Sequence, residues 1–552
     1  MRSIITIIFI LLTVSLLSQT NEWQWAFHAG GSGYDIASDV VLDSLGYVYV
    51  TGAFEGTIQF GLETITSIGN SDLFVAKLGP DGSLIWFRHL GNNGRNYCSS
   101  ITIDNDGSIF LTGYFSNSLC FGSTTLTSIG YWDIFVAKID ANGNWVWASQ
   151  AGGSSYYDRG YDIVVDADGF IFVTGLVYGN SQFGAVNLHS SNNMDAFIAK
   201  LDREGNWLWA TVSNGTGYTA GRSIAVDDAG FVYIIGDFQY STCFGTITLI
   251  AADSDIFIAK LNPQGSWLWV VQVLDSDNVY GNWGSSIAVD SSGNIYTTGF
   301  FSSSMDFGAT HFDCLGYRDI FVAKMDTNAN WLWAKQAGGA YEDYGYKIAV
   351  DESDNIYVSG SYSGSVSFGN ISLYTGLYNA YIACLDNSGN WLWVEHSGGN
   401  CNTRSSSIAL DNIGGIYAVG TFNYNISFGT EAFSSYGDYD IFVAKLMTSN
   451  SSLDNTPEQS MNLLKLNAYP NPFASNVTIS YDIQQKGNVC LNIYNIKGQS
   501  VKSWEYAEKA AGHHDLSWDG KDSYGKLCSS GVYFCKMQHD NHSFSKKLFL
   551  RK

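Results

Sequence analysis

One repeat in this chain is cut in two, and its halves lie at opposite ends. The intact form reads DIFVAKIDANGNWVW, from Asp133 to Trp147. It recurs as DLFVAKLGPDGSLIW from Asp72, DAFIAKLDREGNWLW from Asp195 and DIFIAKLNPQGSWLW from Asp255. DIFVAKMDTNANWLW from Asp319 and NAYIACLDNSGNWLW from Asn379 follow. A further copy, DIFVAKL from Asp440, stops before its Trp half, whereas NEWQWAFHAGG (Asn21 to Gly31) opens with that half and has no FVAKL before it. Division of one repeat between two ends is expected of a ring of repeats closed by its own termini.

Each repeat spans about 61 residues and has four short parts. The first ends in an acid: Asp43, Asp104, Asp166, Asp227, Asp290, Asp351 and Asp411. A turn such as DADG or DSSG leads to the second, for example YVYVTGAF around Thr51. A longer loop follows, marked by Phe-Gly at Phe60, Phe121, Phe183, Phe244, Phe307, Phe368 and Phe428. FVAKL and W-x-W are the third and fourth parts. All four are rich in β-branched and aromatic residues and bounded by Gly, Asn or Asp, the pattern of strands joined by tight turns. No stretch shows the longer 3.6-residue periodicity of a helix. The expected fold is therefore all-β: a seven-bladed β-propeller over residues 21–446, closed by pairing of its N- and C-terminal strands.

The W-x-W spacing puts both rings on one face of a strand, which suits packing between blades rather than exposed stacking on a sugar. His28, His89 and His396 share one position after the second Trp and are expected at the surface or at strand edges, not as catalytic groups. The Asp-x-x-Gly stretches start like calcium loops, but no distal Glu completes one, so hairpin turns are expected. The FVAKL lysines are expected to pair with carboxylates. Nine cysteines do not follow the repeat, which argues against a disulfide framework.

Charge excludes two partner classes. The chain carries 28 Lys+Arg against 51 Asp+Glu, a net −23. Residues 456–552 hold 12 basic and 8 acidic residues, or +4, which leaves −27 on the rest. Such a body repels nucleic acid and anionic membrane. Residues 1–20 read as a secretory signal peptide: Arg2, an apolar run from Ile4 to Leu17, then small and polar residues.

The repeat resembles the SBBP family of seven-bladed β-propeller repeats. The residues that carry the likeness are IAVDSSGNIYTTG (Ile287 to Gly299), Phe-Gly, and DIFVAK (Asp319 to Lys324). It implies a fold and little about activity, because propellers host unrelated functions. Residues 447–462 are polar and aperiodic, a linker. Residues 463–552 then change character, with short strand-like segments and Gly turns that suggest a small C-terminal β-sandwich. Their YPNPF opening (Tyr469, Pro470, Asn471, Pro472), the WDGKDSYGK turn, SGVYF with Gly531 and Tyr533, and the last strand with Lys546 and Lys547 follow in order. Together they resemble the type A C-terminal sorting domain of the type IX secretion system. That resemblance implies passage across an outer membrane, and the secretion machinery as a partner.

Function on a rigid scaffold sits in its loops. The tight turns leave no room, so the opposite face, with the inter-blade loops, is the candidate. These loops are Gly-rich and aromatic: AGGSSYYDRGYD (Ala151 to Asp162), NGTGYTAGRS (Asn214 to Ser223) and AGGAYEDYGYK (Ala337 to Lys347). Asp35, Asn96, Asp158, Thr219, Asn282, Asp343 and Thr403 stand in register there. They either satisfy turns or ring the mouth of a channel as a polar or cation site. Residues that break the repeat are better placed to give specificity. The candidate ligand-binding set is Tyr157, Asp158, Arg159, Tyr218, Arg222, Trp283, Glu342, Asp343, Tyr344 and Arg404. No nucleophile elbow, phosphate loop or metal-binding His pair occurs, so neither a cofactor nor a metal is expected. The expected protein is an exported, monomeric, non-enzymatic propeller that binds a protein or glycan. The alternatives are an extracellular carbohydrate-active enzyme using carboxylates on that face, and a passive surface-layer or matrix component.

Overall fold

The computed structural model describes residues 21–448 except 155, 275–280 and 412, and residues 466–551 except 470–472, 474, 484–485, 496–498, 511 and 540–541. The expected signal peptide therefore lies outside the described residues, as do residues 449–462 of the linker and Pro470, Asn471 and Pro472. The chain divides into two compact units, Met1–Ser451 and Ser452–Lys552. Both are all-β, and among the described residues there is no helix.

The first unit is built of propeller-like repeats of one four-stranded antiparallel sheet. In the first copy Ile36–Leu42, Val48–Phe54, Asp72–Leu78 and Leu84–Leu90 pair in that order. The innermost strands of later copies are Asn96–Ile103, Arg159–Val165, Thr219–Val226, Trp283–Val289, Tyr344–Val350 and Gly398–Leu410. Each lies against the next, and Gly398–Leu410 lies against Ile36–Leu42. In the last copy the outer place is filled from the other end of the chain. Glu22–Gly31 pairs antiparallel with Asp440–Met447, setting Trp23 opposite Leu446, Trp25 opposite Lys445 and Phe27 opposite Val443.

Burial follows this layering. Val48–Phe54 and Asp72–Leu78 are buried at every residue, because neighbouring sheets cover both faces. Leu84–Leu90 stands at the edge and is only partly covered. Hairpin turns are held by their acids: Asp43 Oδ1 accepts from the amides of Leu45 (2.9 Å) and Tyr47 (3.0 Å), and Asp290 from those of Ser292 and Asn294. Gly52 allows close approach of two strands, since a Cβ there would lie 1.8 Å from the Ile36 carbonyl oxygen.

Two features tie one sheet to the next. The second Trp of W-x-W reaches the following turn: Trp25 donates to Pro80 O at 3.0 Å, Trp147 to Arg203 O at 3.0 Å and Trp333 to Asn387 O at 3.0 Å. The segment expected as a long loop is the other. It forms a β-hairpin turning at Phe-Gly, and its first arm pairs with the outer strand of the preceding sheet, as in Gly31 opposite Ile58 and Gly152 opposite Gln182. In several copies the arms simply prolong the second and third strands, as in Ile171–Phe183 with Val186–Leu201. The FVAKL lysines meet aromatic rings as well as acids: Lys77 Nζ lies 4.2 Å from the Tyr47 ring centre and 3.8 Å from Asp43.

The second unit holds a three-stranded sheet (Leu466–Tyr469, Val477–Ile483, Gly512–Trp518) and a four-stranded one (Ser500–Lys509, Gly487–Asn495, Gly531–His539, His542–Leu550). They share one core that includes Phe473, Ile479, Leu491, Trp518, Cys535 and Leu548. Tyr469 ends the first of these strands. Gly531 and Tyr533 open the Gly531–His539 strand, where the Tyr533 hydroxyl donates to Ser529 O at 2.8 Å. Lys546 and Lys547 pair with Cys535 and Phe534 on the last strand.

Deleting Glu22–Gly31 exposes the edge of Asp440–Met447 and removes Phe27 from its contact with Phe60, 5.1 Å between ring centres. The expected result is a lower unfolding midpoint and concentration-dependent association by light scattering. Trp25→Ala alone is expected to cost about 2–4 kcal/mol in chemical denaturation. A deletion variant that stays monomeric and melts like the parent would overturn the role assigned to this seam.

Candidate functional site

Every innermost strand breaks its pleat at the same place. The register shifts between Ala37 and Asp39, and again at Cys98/Ser100, Gly160/Asp162, Gly221/Ser223, Gly284/Ser286, Gly345/Lys347 and Ser405/Ser407. A bulge inserts one residue outside the ladder and re-aims its side chain. The inserted residues are Ser38, Ser99, Tyr161, Arg222, Ser285, Tyr346 and Ser406, and all of them line one cavity of about 710 Å³. Ile36, Tyr97, Arg159, Trp283, Tyr344 and Arg404, two residues earlier on their strands, line it too.

One residue past the bulge, side chains of most copies bond from strand to strand. Ser100 Oγ lies 2.7 Å from Asp39 Oδ2 and 2.8 Å from Asp162 Oδ1, and gives its one proton to either. Ser407 Oγ donates to Asp39 Oδ1 at 2.6 Å, and Ser223 Oγ to Asp162 Oδ2 at 2.7 Å. Lys347 Nζ comes within 3.7 Å of Asp39 Oδ1. Buried, hydrogen-bonded acids of this kind fix the inner strands, and with them the cavity wall.

The lining is aromatic, hydroxylic and cationic. Eight tyrosines (34, 97, 114, 161, 344, 346, 378 and 439), Trp283 and three arginines face the cavity, and no carboxylate does. Arg222 is held from behind, with Nε 2.6 Å from Asp237 Oδ1 and Nη2 donating to the Tyr218 hydroxyl at 2.6 Å. Burial opposes its charge, but Asp237 and the adjacent phenols outweigh that and hold its pKa above the ordinary value. Its guanidinium carbon lies 3.8 Å from the Trp283 ring centre. Arg159 stacks on Trp132 at 4.4 Å and Tyr114 at 5.3 Å, and Arg404 on Tyr346 at 5.2 Å. Burial pushes the phenols of Tyr34, Tyr97, Tyr114, Tyr344 and Tyr346 upward, so they remain protonated donors at neutral pH.

Of the ten residues singled out from sequence, Arg159, Arg222, Trp283, Tyr344 and Arg404 converge on this cavity. Tyr157 and Tyr218 stand behind it, Tyr157 against Trp132 at 4.8 Å and Tyr218 under Arg222. Glu342 lies off the lining, 3.8 Å from Arg318 Nη1 and bonded to the Tyr378 hydroxyl. Asp158 and Asp343 are fully buried and do not line it. Asp158 accepts from the amides of Gly153 (2.7 Å) and Tyr178 (2.8 Å), and Asp343 from that of Ser363 (3.3 Å). Of the seven in-register oxygen-bearing residues, only Thr403 reaches the cavity. Of the bulge residues only Arg222 was singled out; the other six, with Tyr34, Tyr97, Tyr114, Tyr378 and Tyr439, were not.

The loops above the cavity hang on a second set of acids, the Asp of DIFVAK. Asp133 accepts from the amides of Ile129 and Gly130 and from Gln150 Nε2 at 2.6 Å. His28 and His89 occupy the place of that Gln in their copies, 2.6 Å from Asp440 and 2.8 Å from Asp72. They are thus clamps on buried acids rather than free strand-edge residues. Among the described residues, no three His, Cys, Asp or Glu gather as a metal site.

Comparison with known proteins places both halves of the chain. The β-propeller repeat family SBBP matches residues 85–118, 146–180, 279–299 and 332–361. The secretion system C-terminal sorting domain matches residues 467–551. The chain thus carries SBBP repeats and a type IX sorting domain, which directs export across the outer membrane to the cell surface or extracellular space and implies contact with the secretion machinery. An uncharacterized WD repeat-containing protein of Acanthamoeba polyphaga mimivirus is 22% identical over 443 residues, 63% of this chain; the match spans 32% of that relative's length. Among solved structures, PorZ of Porphyromonas gingivalis, a surface component of the type IX secretion system, is 11% identical with a TM-score of 0.29, covering 95% of this chain and 75% of its own. The periplasmic gluconolactonase PpgL of Pseudomonas aeruginosa is 11% identical with a TM-score of 0.36, covering 74% of this chain and 99% of its own.

Burial raises the carboxyls of Asp35 and Asp158 to about 7 and that of Asp343 to about 8. A carboxyl whose pKa rises on folding favours the fold while protonated, so its contribution is complete below its unfolded value of 3.8 and is lost as pH climbs towards 8. Asn96 and Asn282 show that a neutral amide fits this position. Asp343→Asn is therefore expected to raise the thermal midpoint at pH 8, by about 1–3 kcal/mol of stability, and to leave it unchanged at pH 4. Equal midpoints for both proteins at pH 8 would show that the acid bears no such cost.

Proposed function

We propose that this exported chain is a non-enzymatic, seven-bladed β-propeller, closed by pairing of its N- and C-terminal strands, that binds an extracellular glycan or protein in the central cavity of its long-loop face. The segment after the linker is a β-sandwich that serves as the sorting domain. The protein acts as a monomer, since the chain itself supplies the strand that completes the last sheet.

Support for the ring comes from the inner strands, each beside the next and the last beside the first, and from Glu22–Gly31 lying on Asp440–Met447. Binding rests chiefly on the makeup of the cavity. Its volume of about 710 Å³ falls within the range of roughly 300–1,000 Å³ usual for ligand sites. Its wall offers flat rings for stacking and hydroxyls for hydrogen bonds. Hydrolysis by paired carboxylates requires acids at the reacting bond, and the lining has none. A passive layer component needs no such cavity. Here the backbone repeats faithfully while the lining changes from Ser to Tyr to Arg between equivalent positions, which is how a symmetric scaffold acquires a specific site.

Trp283, 37% exposed and stacked on Phe300 at 6.0 Å, is the natural anchor. Screening the exported chain against arrays of glycans and peptides should yield a ligand whose affinity falls about tenfold or more in Trp283→Ala with the melting temperature retained. Ligands bound equally well by that variant would place recognition elsewhere.

A further inference from the structure

We infer that the ligand of this cavity is an acidic sugar, its charge borne by a carboxylate or a sulfate and held by Arg159 and Arg404; this rests on the binding role proposed above. Among the described arginines, these two differ from others in their surroundings. Arg222 is paired with Asp237, Arg318 approaches Glu342 and Arg203 meets Asp106. Arg159 and Arg404 line the cavity, packed against aromatic rings, with no carboxylate among the described residues within ion-pairing reach. Arg159 Nε is buried without a hydrogen-bond partner, and so is the hydroxyl of Ser285 on the same lining. A chain of net −23 thus keeps two uncompensated cations in this recess of about 710 Å³. A buried donor left unpaired is destabilising, and an incoming anion relieves that cost.

The geometry favours a planar or tetrahedral oxyanion over a diffuse negative surface. A guanidinium stacked on an aromatic face still presents its edge, and that edge matches two oxygens at once. The remainder of the wall fits a sugar better than an acidic peptide. Eight phenols and the hydroxyls of Ser38, Ser99, Ser285, Ser361 and Ser406 can each donate and accept, as sugar hydroxyls do. Ile36 is the sole Leu, Ile, Val, Met or Ala side chain on the lining, so the apolar pockets that would grip peptide side chains are missing.

The test titrates the full exported chain by calorimetry with oligogalacturonate and its carboxyl-reduced counterpart, with a sulfated galactan oligosaccharide and its desulfated counterpart, and with polyglutamate. The expected result is that one acidic sugar binds at least tenfold more tightly than its neutral counterpart and that salt weakens it. The pair showing the gap identifies the anion. Arg159→Gln and Arg404→Gln should close the gap, and Arg404→Lys should restore it only in part, because an ammonium lacks the fork. Arg404 is exposed, so its variants carry the test should Arg159→Gln lower the melting temperature. Equal binding of acidic and neutral sugars overturns the inference while leaving the cavity as a glycan site. Preference for polyglutamate overturns it in favour of an acidic protein partner. Failure to bind any of these probes overturns it as well, and a glycan and peptide array that is also blank would bring down the binding role itself.

Discussion

An unpaired β-strand edge presents a row of amides and carbonyls to solvent, and repeated sheets leave such an edge wherever the repeat ends. Here the pairing of Glu22–Gly31 with Asp440–Met447 joins residues more than 400 positions apart and fills that edge. The seam is packed as well as hydrogen-bonded. Phe27 and Val443 belong to one apolar cluster with Phe54 and Phe60, while Trp23 packs on Phe428 in the next. The contacts that run forward from sheet to sheet persist across it, since Trp25 donates to Pro80 O as Trp147 does to Arg203 O. A chain of local repeats thereby acquires a long-range constraint that must be met before its last sheet is complete.

With the strands fixed, a single backbone irregularity decides what faces inward. Without the bulge, residues would alternate and each inner strand would show one side chain in two to the cavity. With it, Ser38 and Asp39 act in succession, one on the lining and one in the strand-to-strand hydrogen bonds. The same pairing gives Arg222 and Ser223, or Tyr346 and Lys347. Such strands supply both a recognition side chain and the group that anchors it. Glycine at the partner position (Gly52, Gly236, Gly299) gives the bulged strand room, because a Cβ there would meet the carbonyl opposite at 1.8–2.0 Å.

Much of this was legible in sequence, for physical reasons. β-branched runs between Asp-x-x-Gly turns state where strands begin and end, and the divided repeat states which ends meet. The cavity arginines and Trp283 were legible because they break a pattern that is otherwise kept. The bulge was not, since one extra residue leaves composition and hydrophobicity unchanged and alters only register. Its trace is nonetheless present: the residue before the first-strand apolar position reads Asp39, Ser100, Asp162, Ser223, Ser286, Lys347 and Ser407, polar in every copy where a buried strand should be apolar. Asp158 and Asp343 show what sequence leaves open. An acid in a loop resembles a ligand, yet these are buried turn acceptors, and only coordinates reveal their burial.

One recurring bridge shows how recognition and scaffold are separated. In four copies the residue before the DIFVAK-type Asp bridges to a residue just ahead of the next inner strand: Tyr439 with Tyr34, Trp132 with Tyr157, Arg318 with Glu342, and Ser71 with Arg95. The backbone geometry is shared, but the chemistry is not. At the third of these the charges of Arg318 and Glu342 are turned on each other, and Tyr378 bonds to Glu342 as well. At the second, two aromatic rings replace the pair, and Trp132 and Tyr157 become the platform for Arg159. One copy neutralises its arginine at the bridge with a carboxylate; in the other, Arg159 on the adjoining inner strand is held by ring faces alone, which position a guanidinium without satisfying its outward donors. Two copies of one bridge therefore differ in whether any positive charge remains to be met from outside, and that difference, more than the fold, sets what this face can hold.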